Sequence, residues 1–267
     1  MLPRGKVAKD KLMRTFRKKI YILQDSNSRF ARFGLLVVLS AYRVLDILFL
    51  KKPHRLDRST EIVASPDRRF VCVLVPKCGS RTILAGLQQA SRMQKFGLSI
   101  KKQSVSNFKN EHEGNFQFAI VRDPWARTYS CYKQKIKDSK PISQALHLAG
   151  RKGLNPDMTF DEFVHWLCNT EGGDHLADRH WASQHLILGL DLGISYDFIG
   201  KLENMEQSLI AVADKLGIPK NSFNEHKNST TSSKNEHLNH YTPELIDMIS
   251  KRYAEDIRTF GYEQPIL

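Results

Sequence analysis

The sequence predicts an α/β protein in which a parallel β-sheet is flanked by helices and preceded by a basic helical extension. Two apolar runs, at residues 71–75 and 116–121, each break into a polar turn and then continue at helical spacing. Such runs are typical of strands buried on both faces of a parallel sheet. The 267 residues, of which 41% are hydrophobic, suffice for one such domain, which we place at residues 66–267 after an extension at residues 1–65.

The first strand is predicted at residues 71–75, VCVLV, and ends at Pro76, which has no N–H for a β-ladder. Gly79 permits a tight turn, Ser80 is a favourable N-cap, and apolar residues at 83, 84 and 87 indicate a helix behind it. Free N–H groups at such a helix start favour an anion. The stretch therefore predicts a turn that binds phosphate or sulfate.

Four side chains of this turn add charge and hydroxyl donors to the backbone: Lys77, Ser80, Arg81 and Thr82. The turn is P-loop-like, but it is not the nucleotide triphosphate loop G-x-x-x-x-G-K-[ST]. Lys77 precedes the glycine instead of following it, and the loop is shorter. On this stretch alone, an ordinary turn with incidental basic residues is the alternative.

A second strand, turn and helix are predicted at residues 116–132, FQFAIVRDPWARTYSCY. Asp123 is a good N-cap, and Pro124 suits the first helical position. Arg122 then lies at the carboxyl end of the strand, and Ser130 follows two turns along the helix. Ligands of open α/β sheets bind at this edge. Two such turns predict a ligand with two anionic ends.

The two stretches resemble motifs of the carbohydrate sulfotransferases that use 3′-phosphoadenosine 5′-phosphosulfate (PAPS). PKCGSRT, at residues 76–82, resembles the 5′-phosphosulfate loop of that family, and VRDPWARTYSCY, at residues 121–132, resembles its 3′-phosphate motif. The resemblance covers residues 70–263 through five further segments: TFDEFVHWL (159–167), DRHWASQ (178–184), YDFIGKLENM (196–205), HKNSTTS (226–232) and YTPELIDMISKRYAEDIRTFGYE (241–263).

The resemblance implies the sulfotransferase fold, PAPS as the sulfate donor, no metal, and a hydroxyl of a carbohydrate or glycolipid as the acceptor. It also implies that Arg122 and Ser130 hold the 3′-phosphate and that Ser229 lies in a polar loop over the nucleotide. Lys77 is placed to neutralise the leaving oxygen. The residues assigned to the 5′-phosphosulfate are Lys77, Cys78, Gly79, Ser80, Arg81 and Thr82.

His180 is the candidate general base, because the segment that contains it lies along the acceptor cleft in the resembled family. If residues 176–190 are helical, His180 and Gln184 share a helix face, and Asp178 is close enough to orient the imidazole. A structural histidine packed near Trp181 is the alternative. Two other histidines, at positions 175 and 185, are weaker candidates for the base.

Further helices are predicted at residues 159–167, 205–216 and 242–260, and a further strand at residues 196–200. The last helix carries one apolar stripe, which we interpret as core. Residues 51–66 contain two prolines and charges of both signs, and they are predicted to be a linker.

The formal net charge of +13 is concentrated in the N-terminal part of the chain. Residues 1–60 hold 15 Lys and Arg and 4 Asp and Glu, which leaves 26 basic and 24 acidic residues for positions 61–267. Residues 4–19 are predicted to be an exposed basic arm that contacts an anionic surface, with a solvated tail as the alternative. The nearly neutral remainder argues against a nucleic-acid-binding protein.

Residues 33–50 are the candidate membrane segment, but they reach the ~18 residues of a short span only by including Arg43 and Asp46. Each such charge costs roughly 2.5–3.5 kcal/mol near a bilayer centre. We therefore expect residues 33–50 to form an amphipathic helix that lies on a membrane or packs on the domain. We expect residues 1–50 to dock peripherally on an anionic membrane surface, with the protein in the cytoplasm. A type II anchor with a lumenal Golgi domain is the alternative. Four cysteines without metal or disulfide spacing favour a reducing compartment.

Two other classes of protein share parts of this pattern. A P-loop-like kinase or NTPase also has a strand, an anion turn and a helix, but it requires the G-K-[ST] order and a magnesium carboxylate, which we cannot place. A catalytically inactive, membrane-associated glycan-binding module would keep the fold and lose turnover. The presence of Lys77, Arg122 and Ser130 argues against that module.

Overall fold

The computed structural model describes residues 59–138, 153–169, 173–174, 177–226 and 235–267. The chain divides into two compact units, one of residues 1–54 and 135–157 and one of residues 55–134 and 158–267. The second unit contains the sheet and both predicted turns. The basic arm, the apolar segment at 33–50 and Ser229 lie outside the described residues.

A five-stranded sheet in the order β3-β1-β2-β4-β5 forms the centre of this unit. Its strands are β1 (Ser59–Ala64), β2 (Phe70–Val73), β3 (Ser99–Ser104), β4 (Phe116–Val121) and β5 (Phe198–Lys201). β2, β4 and β5 run parallel, with Phe70 opposite Phe116 and Phe118 opposite Phe198. β1 is antiparallel to both β2 and β3. The α/β prediction is confirmed, although the sheet is mixed instead of wholly parallel.

β1 corrects the prediction of a linker at residues 51–66, because residues 59–64 are a strand of the sheet. Ile62 and Val63 are completely buried, and the backbone N–H of Leu74 donates to the Glu61 carbonyl at 2.8 Å. The prolines and charges around this short strand masked it, since only its second half is continuously apolar. The sheet therefore begins before residue 66.

Helices flank the sheet, and we number them in chain order. They are α1 (Ser80–Gln94), α2 (Val105–His112), α3 (Pro124–Tyr132), α4 (Phe160–Cys168), α5 (Gln184–Leu188), α6 (Met205–Leu216), α7 (Pro243–Arg252) and α8 (Ala254–Phe260). A π-helical turn, Lys133–Lys137, continues α3. Among the described residues, no helix combines the length and apolar character needed to cross a bilayer.

Local capping explains where three of these helices start. Asp123 accepts from the N–H of Ala126, and Thr242 accepts from the N–H of Leu245, each before a proline in the first turn. Thr159 forms a capping box with Glu162. These starts confirm the sequence predictions.

Three helix predictions need correction. Ser80 is the first residue of α1 rather than its cap, which is Gly79 in a left-handed conformation. The predicted helix at 242–260 is interrupted at Tyr253, between α7 and α8. Within the described residues 177–190, the α-helix is confined to α5, because Asp178 and Asp174 accept hydrogen bonds from backbone N–H groups that a longer helix would use.

The main core lies between the sheet and helices α1 and α6. It contains apolar residues from the strands, from the two helices and from the segments that follow β2 and α6: Val63, Phe70, Cys72, Leu74, Ile83, Leu87, Ala90, Phe118, Ile120, Leu209, Val212, Ala213, Ile218 and Phe223. All of β2 and the last four residues of β4 are buried, which explains their apolar sequences FVCV and FAIV. This packing fixes the carboxyl ends of β2 and β4 side by side.

Candidate active site at the carboxyl ends of β2 and β4

The two predicted anion turns leave the carboxyl ends of neighbouring parallel strands. One turn connects β2 to α1, and the other connects β4 to α3. They also touch directly, because Nη1 of Arg122 donates to the carbonyl oxygen of Lys77 at 3.3 Å. The geometry thus brings the two motifs into one region.

The first turn depends on glycine at position 79. Its φ of 75° is left-handed, and a Cβ at this position would lie 2.3 Å from Cε of Met205 and 3.0 Å from Cδ1 of Leu202. A side chain would therefore be strained and would clash with the start of α6. Lys77 also adopts a left-handed φ, of 73°, so the chain reverses within a few residues.

The start of α1 presents backbone donors beside this turn. Its first helical hydrogen bond runs from the N–H of Ile83 to the carbonyl of Gly79 at 3.1 Å, so the N–H groups of Ser80, Arg81 and Thr82 precede the helical ladder. The Ser80 hydroxyl donates to the Val75 carbonyl at 2.7 Å and tightens the turn. The Arg81 side chain is exposed, and Thr82 is half-buried.

The Lys77 side chain is directed by a partner on the π-helical turn. Nζ of Lys77 donates to Oε1 of Gln134 at 2.9 Å. Single π-helical turns frequently occur at functional sites. Gln134 is not among the residues predicted from the sequence, because a single glutamine in a basic segment carries no pattern.

Cys78 faces the protein interior and not the surface of the turn. Its N–H donates to the Val75 carbonyl at 3.3 Å, and its thiol donates to Oε1 of Gln184 at 3.2 Å. Burial raises the pKa of Cys78 to about 12, so its thiol stays neutral. The backbone N–H and the thiol of Cys78 thus both have partners within the protein.

The second turn combines a half-buried cation with two carboxyl groups. Burial lowers the pKa of the Arg122 guanidinium, and burial raises the pKa of Asp123 to about 6. Glu203, after β5, accepts from the Asp123 N–H at 2.8 Å. Ser130 is half-buried on α3, on the helix that this turn begins. Arg122 is thus held at the carboxyl end of β4 with its guanidinium toward the first turn.

Arg127 connects the first turn to the segment that carries His180. Only 2% of Arg127 is exposed. Its guanidinium donates to three carbonyl oxygens: that of Pro76 at 3.2 Å, that of Ala182 at 2.8 Å and that of Arg179 at 3.1 Å. Because Pro76 precedes Lys77 and Arg179 precedes His180, Arg127 places the two predicted catalytic positions on adjoining segments.

His180 lies in a turn before α5, so the prediction that it shares a helix face with Gln184 is wrong. Its Nδ1 is hydrogen-bonded to Oδ1 of Asp178, which also accepts from the His180 backbone N–H at 2.9 Å. An ionised carboxylate accepts only, so Nδ1 carries a proton, and in the neutral imidazole Nε2 is then the acceptor nitrogen. The neighbouring Trp181 is buried in the core, where its ring packs edge-on against Trp166 with centroids 5.6 Å apart.

The other histidine candidates differ from His180. His185 on α5 is hydrogen-bonded to buried Asp256 at 2.8 Å; burial opposes its protonation, but this hydrogen bond and the Asp256 charge raise the pKa of His185. Both histidines therefore have a carboxylate partner at Nδ1, and they differ in exposure: the side chain of His185 is 14% exposed and that of His180 is 28% exposed. His175 lies outside the described residues. Among the residues that the structure describes, no group of His, Cys, Asp and Glu could hold a metal ion.

The residues that join the site could not be predicted from the sequence, because their partners are distant in the chain. Arg127, Gln184 and Asp256 bond to positions 51, 62 and 72 residues away. One signal was available for Arg127: it is a charged residue in a helix whose neighbours are nearly all apolar or small. No comparable signal marks Gln184.

The chain is similar in sequence to known proteins of one family. A family model described as "Sulfotransferase family" matches residues 60–263. Carbohydrate sulfotransferase 14 of Mus musculus is 25% identical over 234 residues, covering 76% of this chain and 60% of its own length. Carbohydrate sulfotransferase 14 of Danio rerio is 24% identical over 166 residues, covering 56% and 44%. Carbohydrate sulfotransferase 10 of Xenopus laevis is 25% identical over 256 residues, covering 83% and 69%.

The matched part of the chain thus spans about half the length of the carbohydrate sulfotransferase 14 relatives. No solved structure matches the chain significantly.

Proposed function

The chain belongs to the sulfotransferase family, and from this premise we propose that it transfers a sulfuryl group from PAPS to a hydroxyl of a carbohydrate or glycolipid. The transfer is an in-line displacement that releases 3′-phosphoadenosine 5′-phosphate (PAP). The observation that carries the proposal is the contact between Arg122 and the Lys77 carbonyl, which joins two anion turns into one region. The names of the relatives support the carbohydrate acceptor.

The donor set fits a ligand with anionic groups at two ends. The N–H groups at the start of α1, with Lys77, suit a phosphosulfate. Arg122 and Ser130 suit a phosphate at the second turn. We also assign Ser229 to the nucleotide, on the sequence resemblance alone. When bound, PAPS supplies the sulfuryl group and the leaving oxygen.

Each catalytic role follows from where a residue lies. Lys77, held by Gln134, stabilises the negative charge that grows on the leaving oxygen. His180 accepts the proton of the acceptor hydroxyl at Nε2, while Asp178 keeps the other ring nitrogen protonated and fixes the ring. Sulfuryl transfer, like phosphoryl transfer, asks the protein chiefly for positioning and electrostatic stabilisation.

The proposal is tested by calorimetric binding of PAP, ATP and AMP to the full chain. We expect micromolar binding of PAP that exceeds binding of ATP and AMP by about tenfold or more, because only PAP places phosphates at both turns. Equal binding of ATP would favour a kinase or NTPase. Selective PAP binding without transfer from labelled PAPS to any of a broad panel of oligosaccharides would favour an inactive glycan-binding module.

We predict that His180→Ala lowers kcat by about 10²-fold or more, the usual contribution of a general base. The dissociation constant of this variant for PAP should stay within about twofold of that of the unaltered chain, because the base contacts the acceptor and not the donor. The two constants are measured by transfer kinetics and by calorimetry. His165→Ala, on the exposed side of α4, is the matched control and should change neither. An unchanged kcat in His180→Ala would remove His180 as the base.

A further inference from the structure

The Gln184 side chain lies between the two anion turns and bonds to both. It is completely buried. Its Oε1 accepts from the backbone N–H of Arg122 at 2.9 Å and from the thiol of Cys78 at 3.2 Å. Its Nε2 donates to the backbone carbonyl of Arg122 at 2.8 Å. The Gln184 amide therefore bonds to both the N–H and the carbonyl of Arg122, the residue after β4. It also bonds to the first turn through the Cys78 thiol.

The backbone of Gln184 is itself anchored from the opposite side. Asp256, on α8, is completely buried and accepts from the N–H groups of Gln184 at 2.7 Å and His185 at 2.9 Å. The preceding residue, Ser183, is held by Asp174 through its N–H and its hydroxyl. Gln184 cannot follow a movement of either turn without breaking these bonds, so it acts as a fixed reference for both.

The chemistry of the three bonds suits an amide in particular. Arg122 offers one N–H and one carbonyl to Gln184, as it would to a neighbouring strand, and only a side chain with a donor and an acceptor satisfies both. A carboxylate would face the Arg122 carbonyl with a second acceptor, and an apolar side chain of the same shape would leave buried peptide groups unpaired. The bonds also align Arg122, whose guanidinium reaches the first turn.

We propose that Gln184 is a positioning residue that sets the spacing between the two turns and thereby makes the site selective for ligands that carry anions at both ends. The inference rests on the proposed function. A ligand that spans both turns needs both at the correct separation, and displacements near 1 Å are enough to weaken such a match by about tenfold. A ligand that uses one turn only is insensitive to that separation.

The test compares PAP with AMP, which carries only the 5′-phosphate, by calorimetry on the full chain. In Gln184→Met we expect PAP affinity to fall by about tenfold or more and AMP affinity by less than about threefold, so that the preference for PAP collapses. Gln103→Met is the matched control. It removes a buried glutamine that bonds His112 on α2, away from both turns, and should leave the preference unchanged.

A second pair of variants keeps the test decisive if Gln184→Met does not fold. Cys78→Ala removes only the thiol donor and should reduce the preference for PAP, whereas Cys78→Ser retains a hydroxyl donor and should reduce it less. An unchanged ratio of PAP to AMP affinity in folded Gln184→Met, or equal ratios in the two Cys78 variants, would overturn the positioning role alone. Absence of any preference for PAP in the unaltered chain would overturn the proposed function and this inference with it.

Discussion

Lys77→Ala is expected to lower kcat by about 10²- to 10³-fold while leaving the dissociation constant for PAP within about threefold of the original. The reason is timing. Negative charge on the leaving oxygen develops only in the transition state, so the Lys77 ammonium, held by Gln134, contributes little to ground-state binding. Transfer kinetics and calorimetry on the same preparations separate the two effects.

Arg122→Ala should show the opposite division. Its guanidinium is half-buried and lies at the second turn, where charge-assisted hydrogen bonds to a phosphate would be strong in both the ground state and the transition state. We expect PAP affinity to fall by about 10²-fold, because the variant also loses the bond to the Lys77 carbonyl.

Two exposed cations serve as controls for this pair. Lys251→Ala on α7 and Arg258→Ala on α8 remove the same charges and should change neither constant. Equal losses of PAP affinity in Lys77→Ala and Arg122→Ala would contradict the division of roles and would mean that both cations bind the donor in its ground state.

The largest effect on stability is expected for Arg127→Met. The substitution keeps an unbranched, largely apolar side chain but removes the guanidinium donors of three carbonyl oxygens. Two of these carbonyls, of Arg179 and Ala182, lie in the segment around His180, and the third, of Pro76, keeps the Cys78 thiol at 3.6 Å. Each unpaired buried carbonyl costs roughly 1–3 kcal/mol, so the free energy of unfolding should fall by about 3 kcal/mol or more. Urea denaturation followed by tryptophan fluorescence measures the change, since Trp125 and Trp181 are both buried.

An exposed arginine provides the comparison for Arg127. Arg258→Met breaks a pair with Glu255 on the surface of α8 and should leave the urea midpoint unchanged. If Arg127→Met changed the free energy of unfolding as little as Arg258→Met, the three carbonyl bonds would contribute nothing to folding. The link between the first turn and the His180 segment would then need another explanation.

The sequence could predict those features that are encoded locally. The strands β2 and β4, the cap at Asp123, the helix predicted at residues 159–167 and the family itself all follow from short stretches of neighbouring residues, and all are confirmed. The roles assigned to Lys77, Arg122 and His180 stay predictions. The sequence predicted that adjacent strands bring the two turns together, but it did not predict which residues join the turns.

The errors have physical causes of the same kind. A helix through His180 was predicted from spacing, but Asp178 and Asp174 capture the backbone N–H groups there. β1 was taken for a linker, because only its second half is continuously apolar and prolines and charges lie around it. Gln184 and Asp256 matter through contacts made across the fold, which no local pattern contains.

The bonds around Gln184 and Arg127 also determine when the site can come into existence. They join residues separated by 51, 62 and 72 positions, and the last partner, Asp256, is near the end of the chain. During synthesis both turns emerge long before the residues that hold them, and such long-range contacts form late because loop closure is costly. The conformational entropy lost when the turns become ordered is therefore a cost of folding and not of ligand binding. The proposed binding of a two-ended anion would then require that the sheet and the helices through α8 have folded.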